Sequence, residues 1–435
     1  MKATSKTVNI FVELSRIVVG ATFVLSGFVK AVDPMGFTYK IQDYLIELNL
    51  TEVFSLALPV ALLIIVSEFS LGVLLLLGVY SKWTTRFTGL FMLFFTPLTL
   101  WIAVTNPVED CGCFGDAFII SNWNTFYKNI VLLAGTVLLI AKWKLINTLF
   151  SLKTAPLAVL FTALFVLFFA LYNIYRLPVF DFRPYRIGAN IPEQMYVDPE
   201  KADIYETIFL YSKNGVQQEF TEENYPWNDS TWTYVDMKTH LVKEGEKPKI
   251  EDFSVDALYY DESSGSWNIG SDITDIILSE PSYLFLMVAS SLEEMNMKHL
   301  NRFKKVNTYA IDNGWPFYLI TSSGTDVVEN WEKSNRSGFQ FCHSDEKVLE
   351  TMIRSNPGLI LLKGGTVINK WDDSSVPLIG DMASVAEQTD IIIAELNNTG
   401  TTGTVKLLII ALLFLIPLLL IKLGDRKMLV RKKVK

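Results

Sequence analysis

Long apolar runs alternate with short polar loops over the first 175 residues, and one further apolar run lies close to the end of the chain. Spanning a bilayer core takes roughly 20 apolar residues in a helix. Six stretches reach that length: about 8–29, 54–79, 87–105, 126–147, 156–175 and 404–423. The first contains Arg16, lacks a small-residue cleavage site and is soon followed by more spans, so it reads as a membrane helix rather than a cleaved signal peptide. Between the fifth and sixth runs the period changes. Residues 190–280 read as short strands and turns with many aromatics. Beyond them, PSYLFLMVA is expected to be a buried strand, LEEMNMKHLNRFKKVNTYAIDNG an amphipathic helix and PFYLITSS a second strand. A polar helix around Val327–Ser334, the strand FQFCHSD, the helix EKVLETMIRSN and a hairpin turning at Gly364-Gly365 follow. Strands alternating with helices and closing on a hairpin predict an α/β sandwich.

Composition agrees with this division. Half of the 435 residues are hydrophobic and 19% are charged, below the quarter usual in soluble domains. Lys and Arg set the expected orientation. Lys2 and Lys6 precede the first span, Lys82 and Arg86 join the second to the third, and Lys142, Lys144 and Lys153 join the fourth to the fifth. Arg426, Lys427, Arg431, Lys432, Lys433 and Lys435 follow the last. Threading six helices in order puts all four groups on one side. That side is expected to be the cytoplasm, with both termini there and residues 176–403 outside, in the periplasm of a bacterial inner membrane. The net charge of −8 understates the asymmetry, because the C-terminal tail is strongly basic, and nucleic-acid binding finds no support. His240, His299 and His343 all lie in the polar part, which excludes a bis-histidine haem within the membrane.

The sharpest chemical feature is Cys111-Gly112-Cys113 in the loop between the third and fourth spans. Cysteines two apart can close a very small ring because the central glycine leaves φ and ψ free. Such a ring is strained and easily reduced, which suits an exchange centre better than a staple. An inert surface pair and a metal site, with Glu109, Asp110 and Asp116 as oxygen ligands, are the competing readings. The acidic neighbours act against a thiolate, and no Lys or Arg lies in the loop itself. Within the membrane, Arg16 and Glu68 are expected at similar depth and so as a charge pair, with Glu13 nearby. That pair reads either as a lock on the bundle or as a proton or quinone-headgroup site. Lys30 is expected to snorkel to the outer interface. Cys342 reads as a buried small hydrophobe, and its neighbour His343 points to the opposite strand face.

The first 175 residues resemble the DoxX/MauE family. The likeness rests on Arg16, Gly20, the run Ser26-Gly27-Phe28-Val29-Lys30-Ala31-Val32-Asp33-Pro34, Glu68 in SEFSLGVLLLLGVYSKW, and the Cys111–Gly115 loop. It implies a role beside extracytoplasmic redox chemistry. Residues 245–395 resemble the thioredoxin-like fold of the TlpA type, with Lys247–Phe253 as the opening segment and Asn356-Pro357-Gly358 where that fold carries its cis-proline. Where that family carries Cys-x-x-Cys, this chain reads Ser290-Ser291-Leu292-Glu293-Glu294-Met295, which has no thiol. The combination resembles proteins of Bacteroidetes-type bacteria.

The expected architecture is a membrane all-α helical bundle plus an extracytoplasmic α/β thioredoxin-like domain. It divides into a DoxX/MauE-like bundle with a four-helix core at 1–150, a fifth helix and linker at 151–189, an extracytoplasmic domain at 190–403 and a last helix with a basic tail at 404–435. The expected function is thiol–disulfide exchange or electron transfer through Cys111 and Cys113, as a thiol–disulfide oxidoreductase. Its partner would be an exported thiol protein or another envelope protein, with the degenerate domain docking the client. No cofactor is evident from the residues, and a quinone is the carrier such a bundle could serve. The competing expectation is a non-enzymatic scaffold or assembly factor. Transport is less well supported, because the helices lack repeat symmetry.

Overall fold

The computed structural model describes residues 2–108, 111–243, 245–377 and 399–433. Among these, six helices are long and apolar enough to cross a membrane: Lys6–Val32, Thr51–Leu77, Ser81–Thr105, Asn122–Ala141, Ala155–Tyr175 and Gly403–Arg426. The protein is a multi-pass membrane protein. The spans fall within helices α1 (Lys2–Val32), α3 (Ala57–Leu77, extended by a 3-10 turn), α4 (Ser81–Thr105), α5 (Asn122–Ala141), α6 (Ala155–Tyr175) and a C-terminal helix (Thr399–Lys433). A shorter helix, α2 (Pro34–Glu47), lies between the first two spans. Asp33 caps it, accepting from Gly36 N at 3.0 Å, and Pro34 occupies its first turn.

Antiparallel α1 and α3 approach closely through glycines. A Cβ on Gly27 would stand 2.6 Å from Phe69 N, and one on Gly72 would stand 2.6 Å from Val24 N. Small residues let membrane helices meet backbone to backbone, since lipid supplies no hydrophobic drive for their association. The C-terminal helix lies on α6 through Phe414, which contacts Phe161 and Phe165, and Asp425 accepts from Ser151 N at 3.1 Å.

The polar part holds two sheets. β1 (Ile204–Lys213), β2 (Val216–Thr221) and β3 (Thr233–Lys243) form an antiparallel sheet in the order β2-β1-β3. The second sheet contains β4 (Asp256–Asp261), β5 (Ser266–Asp272), β6 (Tyr283–Ala289), β7 (Phe317–Thr321), β8 (Gln340–His343), β9 (Gly358–Lys363) and β10 (Thr366–Asp372). Its order is β10-β9-β6-β7-β8-β4-β5, with β6, β7 and β8 parallel and their neighbours antiparallel. β6 is a continuous apolar run because both of its faces are covered. Phe285, Met287 and Ala289 join the layer under α9 (Leu300–Asp312) and α10 (Thr325–Asn335). Leu284, Leu286 and Val288 join the opposite layer with Tyr185, Ile191, α8 (Thr274–Ser279) and α11 (Glu346–Met352). Gly364 and Gly365 turn the final hairpin at φ +54° and +69°. The Asn356–Pro357 bond is cis. This is the expected thioredoxin-like α/β arrangement; residues 378–395 of the expected core lie outside the described residues.

The stretch Asp181–Ile187, within the expected linker, is pinned to the domain. Arg183 donates to Asp181 at 2.8 Å and to Thr351 O at 3.0 Å, and Lys370 donates to Asp181 at 2.8 Å.

Candidate functional site

Cys111 and Cys113 stand at one end of the bundle, in the loop joining α4 to α5. All three cysteines of the chain are free thiols. Gly112 turns between the pair at φ +66°, the left-handed region that only glycine enters without strain. The turn brings the sulfurs to 2.9 Å, within hydrogen-bond reach of each other. Two tethers fix the loop from below and from the side. Ser26, on α1, donates to Cys113 O at 2.7 Å, and Tyr44, on α2, donates to Cys111 O at 2.9 Å.

The electrostatics separate the two thiols. The hydrogen bond from Cys111 lowers Cys113 to about 6; burial opposes this, and the positive charges of Lys128 and Lys30 assist it. The same hydrogen bond, burial and the charge on Cys113 raise Cys111 well above the ordinary thiol range. Of the two thiols, Cys113 is therefore the one drawn toward the thiolate and Cys111 the one held protonated. The loop carries no cation, as its sequence states; the cations come from α1 and α5. Lys128 Nζ sits 4.3 Å from the centroid of the Phe114 ring, directly after the pair.

Lys30 does not snorkel. It is 5% exposed and donates to Glu68 Oε2 at 2.7 Å and to Ser26 Oγ at 2.8 Å. The pair expected between Arg16 and Glu68 is not formed. Arg16 pairs with Glu13 at 2.6 Å and donates to Leu76 O at 2.8 Å. The helix register explains the exchange of partners. Gly20 abuts Leu76 and Gly27 abuts Phe69. Arg16 therefore stands one turn beyond Leu76, about twelve residues or ~18 Å along the axis from Glu68. Counting depth from the helix ends misses a register that the glycine contacts set.

The other sequence candidates divide cleanly. Asp116 faces Arg354 of the polar domain at 3.8 Å, while Glu109 and Asp110 lie outside the described residues. Among the described residues no cluster of three or more His, Cys, Asp or Glu is arranged to hold a metal. Cys342 is 1% exposed within the α11 layer, and burial and Asp256 push its thiol up to about 12. It is inert core. The thiol-free loop is held by Ser323, just after β7: Glu293 accepts from Ser323 at 2.7 Å and Leu292 N donates to Ser323 Oγ at 2.9 Å.

Sequence comparison bears on the bundle directly. Residues 8–142 match the family model described as methylamine utilisation protein MauE. The first four spans carry a MauE-family domain. The cysteine loop and the Lys30–Glu68 pair both fall inside this MauE-family region. Residues 205–244, which take in nearly all of the three-stranded sheet, match a domain of unknown function (DUF8463). No curated protein matches the chain. Among solved structures, the chain is similar to a solution structure of a candidate protein disulfide isomerase from Bacteroides thetaiotaomicron. Identity is 11% and the TM-score 0.23, over 34% of this chain and 90% of that one.

Proposed function

We propose that this protein exchanges thiols and disulfides with exported proteins at the periplasmic face of a bacterial inner membrane, through Cys111 and Cys113. The observation that carries the reading is the asymmetric dithiol: two free sulfurs 2.9 Å apart, one drawn toward the thiolate first by its hydrogen bond with the other and then by cations from two helices. The MauE-family match supports a redox-associated role by analogy. The Lys and Arg distribution supports the orientation, with both termini in the cytoplasm.

The exchange balances without a further reagent. Cys113 thiolate attacks one sulfur of a client disulfide, and the other client sulfur leaves and takes up a proton. Cys111 then loses its proton and attacks the Cys113 sulfur. This closes the pair as a disulfide and releases the client as a dithiol. An exported dithiol protein returns the two electrons by the same steps in reverse. The recess beside the pair, lined by Phe114, Phe118, Ile120 and Thr125, holds about 10 Å³, room for one water molecule. That space does not fit a quinone ring, and Lys30 donates to both Glu68 and Ser26, so no step is routed through a quinone.

Cys111→Ser removes the resolving thiol. In cells it should accumulate mixed disulfides between Cys113 and exported proteins, separable on non-reducing gels and identifiable by mass spectrometry. Absence of such species in Cys111→Ser, with the protein at normal abundance, would reject exchange. One observation favours the second reading, a scaffold for envelope proteins: the polar domain has the sheet of a thiol-handling fold and no thiol in the loop after β6.

A further inference from the structure

The short helix α2 is gripped on two adjacent faces. One face meets the cysteine loop: Tyr44 donates to Cys111 O at 2.9 Å, and the Lys40 stem lies where a side chain on Gly112 would project. The other face, formed by Asp33, Gly36, Tyr39 and Asp43, meets α11 and the residues just after it. Lys347, Glu350 and Arg354 answer it at helical spacing. Lys347 reaches Asp43 at 3.2 Å, and Glu350 hydrogen-bonds the Tyr39 hydroxyl. Arg354 binds both oxygens of Asp33, at 2.9 and 3.1 Å, stacks its guanidinium 5.1 Å from the Tyr39 ring centre and faces Asp116 of the cysteine loop at 3.8 Å.

These contacts differ in weight. Lys347 is 78% exposed, and pairs of that kind contribute little. The Arg354 side chain is 5% exposed and forked on a carboxylate, the geometry in which an ion pair holds a fixed orientation. Gly36 leaves room for it: a Cβ there would stand 2.7 Å from Arg354 Nη2. Arg354 also lies two residues before the cis bond at Pro357, and Asn356 donates to Ser291 O at 2.8 Å. The thiol-free loop and the clamp on the bundle therefore share one end of the domain.

We propose that Arg354 is a positioning residue that holds the polar domain as a cap on the cysteine pair, with α2 as the plate between them. The surface next to the thiol-free loop docks onto this chain's own cysteine bundle. Access to Cys113 then depends on release of the Arg354–Asp33 clamp. The inference goes beyond thiol exchange and holds whether or not the pair turns over.

The test is the alkylation rate of each cysteine in the purified full chain in lipid nanodiscs, with a small maleimide at fixed pH and Cys342 as the internal measure of an intact domain. Arg354→Ala and Asp33→Ala should each speed Cys113 labelling about tenfold while Cys342 stays protected, by raising the open population. The double variant should be no faster than either single, because both remove one clamp; independent destabilisations would add. Gly36→Ala keeps every charge yet displaces the guanidinium, and should reproduce the effect if Arg354→Ala also exposes Cys342. Unchanged Cys113 labelling in Arg354→Ala and Gly36→Ala, with Cys342 protected, would overturn the cap. Faster labelling in a protein whose pair never cycles in cells would reject exchange and leave the cap standing.

Discussion

Lys30 Nζ lies 2.7 Å from Glu68 Oε2, and this pair is the buried ionic joint between α1 and α3. It stands at the level where Gly27 meets Phe69, and its third partner, Ser26, reaches on to the carbonyl of Cys113. One joint therefore serves both helix packing and the seat of the cysteine loop. Removing one member of a buried pair costs about 3–5 kcal/mol, because the other charge stays buried, whereas replacing both by apolar groups is far milder. Glu68→Leu should lower the thermal unfolding midpoint in micelles sharply, and Lys30→Met/Glu68→Leu should recover most of the loss. Equal losses in the single and double variants would assign the damage to packing instead.

The two thiols should label in order. With Cys113 drawn down to about 6, its alkylation rate should rise with pH to half its plateau near 6, while Cys111 stays slow through neutral pH. Cys111→Ala removes the largest cause of the shift and should move the Cys113 midpoint upward, toward the ordinary thiol value of about 8.5. Lys128→Met should move it the same way by less. Mass-spectrometric labelling rates from pH 5 to 9 check both.

Docking of α11 on α2 should loosen as pH rises. Burial pushes Glu350 up to about 7, aided by Glu346 and Asp43 and opposed by the Tyr39 hydroxyl and Arg354. A carboxyl raised in the docked state holds its proton more tightly there. Its contribution is full below the ordinary carboxylate range and is lost as pH rises through about 7. Hydrogen exchange in α2 and α11, corrected for intrinsic rates, should lose protection from pH 5 to 8. Glu350→Gln should flatten that dependence; protection that grows with pH would contradict the assignment.

Asp181 is the counter-charge for two buried cations, Arg183 at 2.8 Å and Lys370 at 2.8 Å. Against burial, the two cations draw its carboxyl down to about 2. Its contribution is present above the ordinary carboxylate range and is lost as pH falls through about 2. Asp181→Asn leaves both cations uncompensated and should destabilise the polar domain by about 3–5 kcal/mol. Calorimetry of the full chain should place the loss in the transition of that domain and leave the bundle's transition unchanged.

The six spans were legible because length and hydropathy alone define them. The β6-α9-β7 order and the final hairpin were legible from period and turn glycines. The Lys30–Glu68 pair was not, because a register set by Gly27 and Gly72 emerges only when two helices are packed. Helix α2 carried a readable start in Asp33-Pro34, but a polar loop between two strong spans hides a helix of 14 residues. The cations beside Cys113 were missed because they lie 83 residues before it and 15 after it, brought together only by the bundle. Lys128 left one signal, a lysine inside a span, where a charge calls for a partner. The Arg354 clamp joins positions 321 residues apart and had no local signature.

Differential alkylation of Cys111 and Cys113 in intact cells, with and without reductant and read by mass spectrometry, tests the central claim most directly. The account predicts a mixed thiol–disulfide population that shifts with growth conditions and collapses to thiols on reduction. A pair that stays in one state under every condition, in protein of normal abundance, would contradict exchange at this loop.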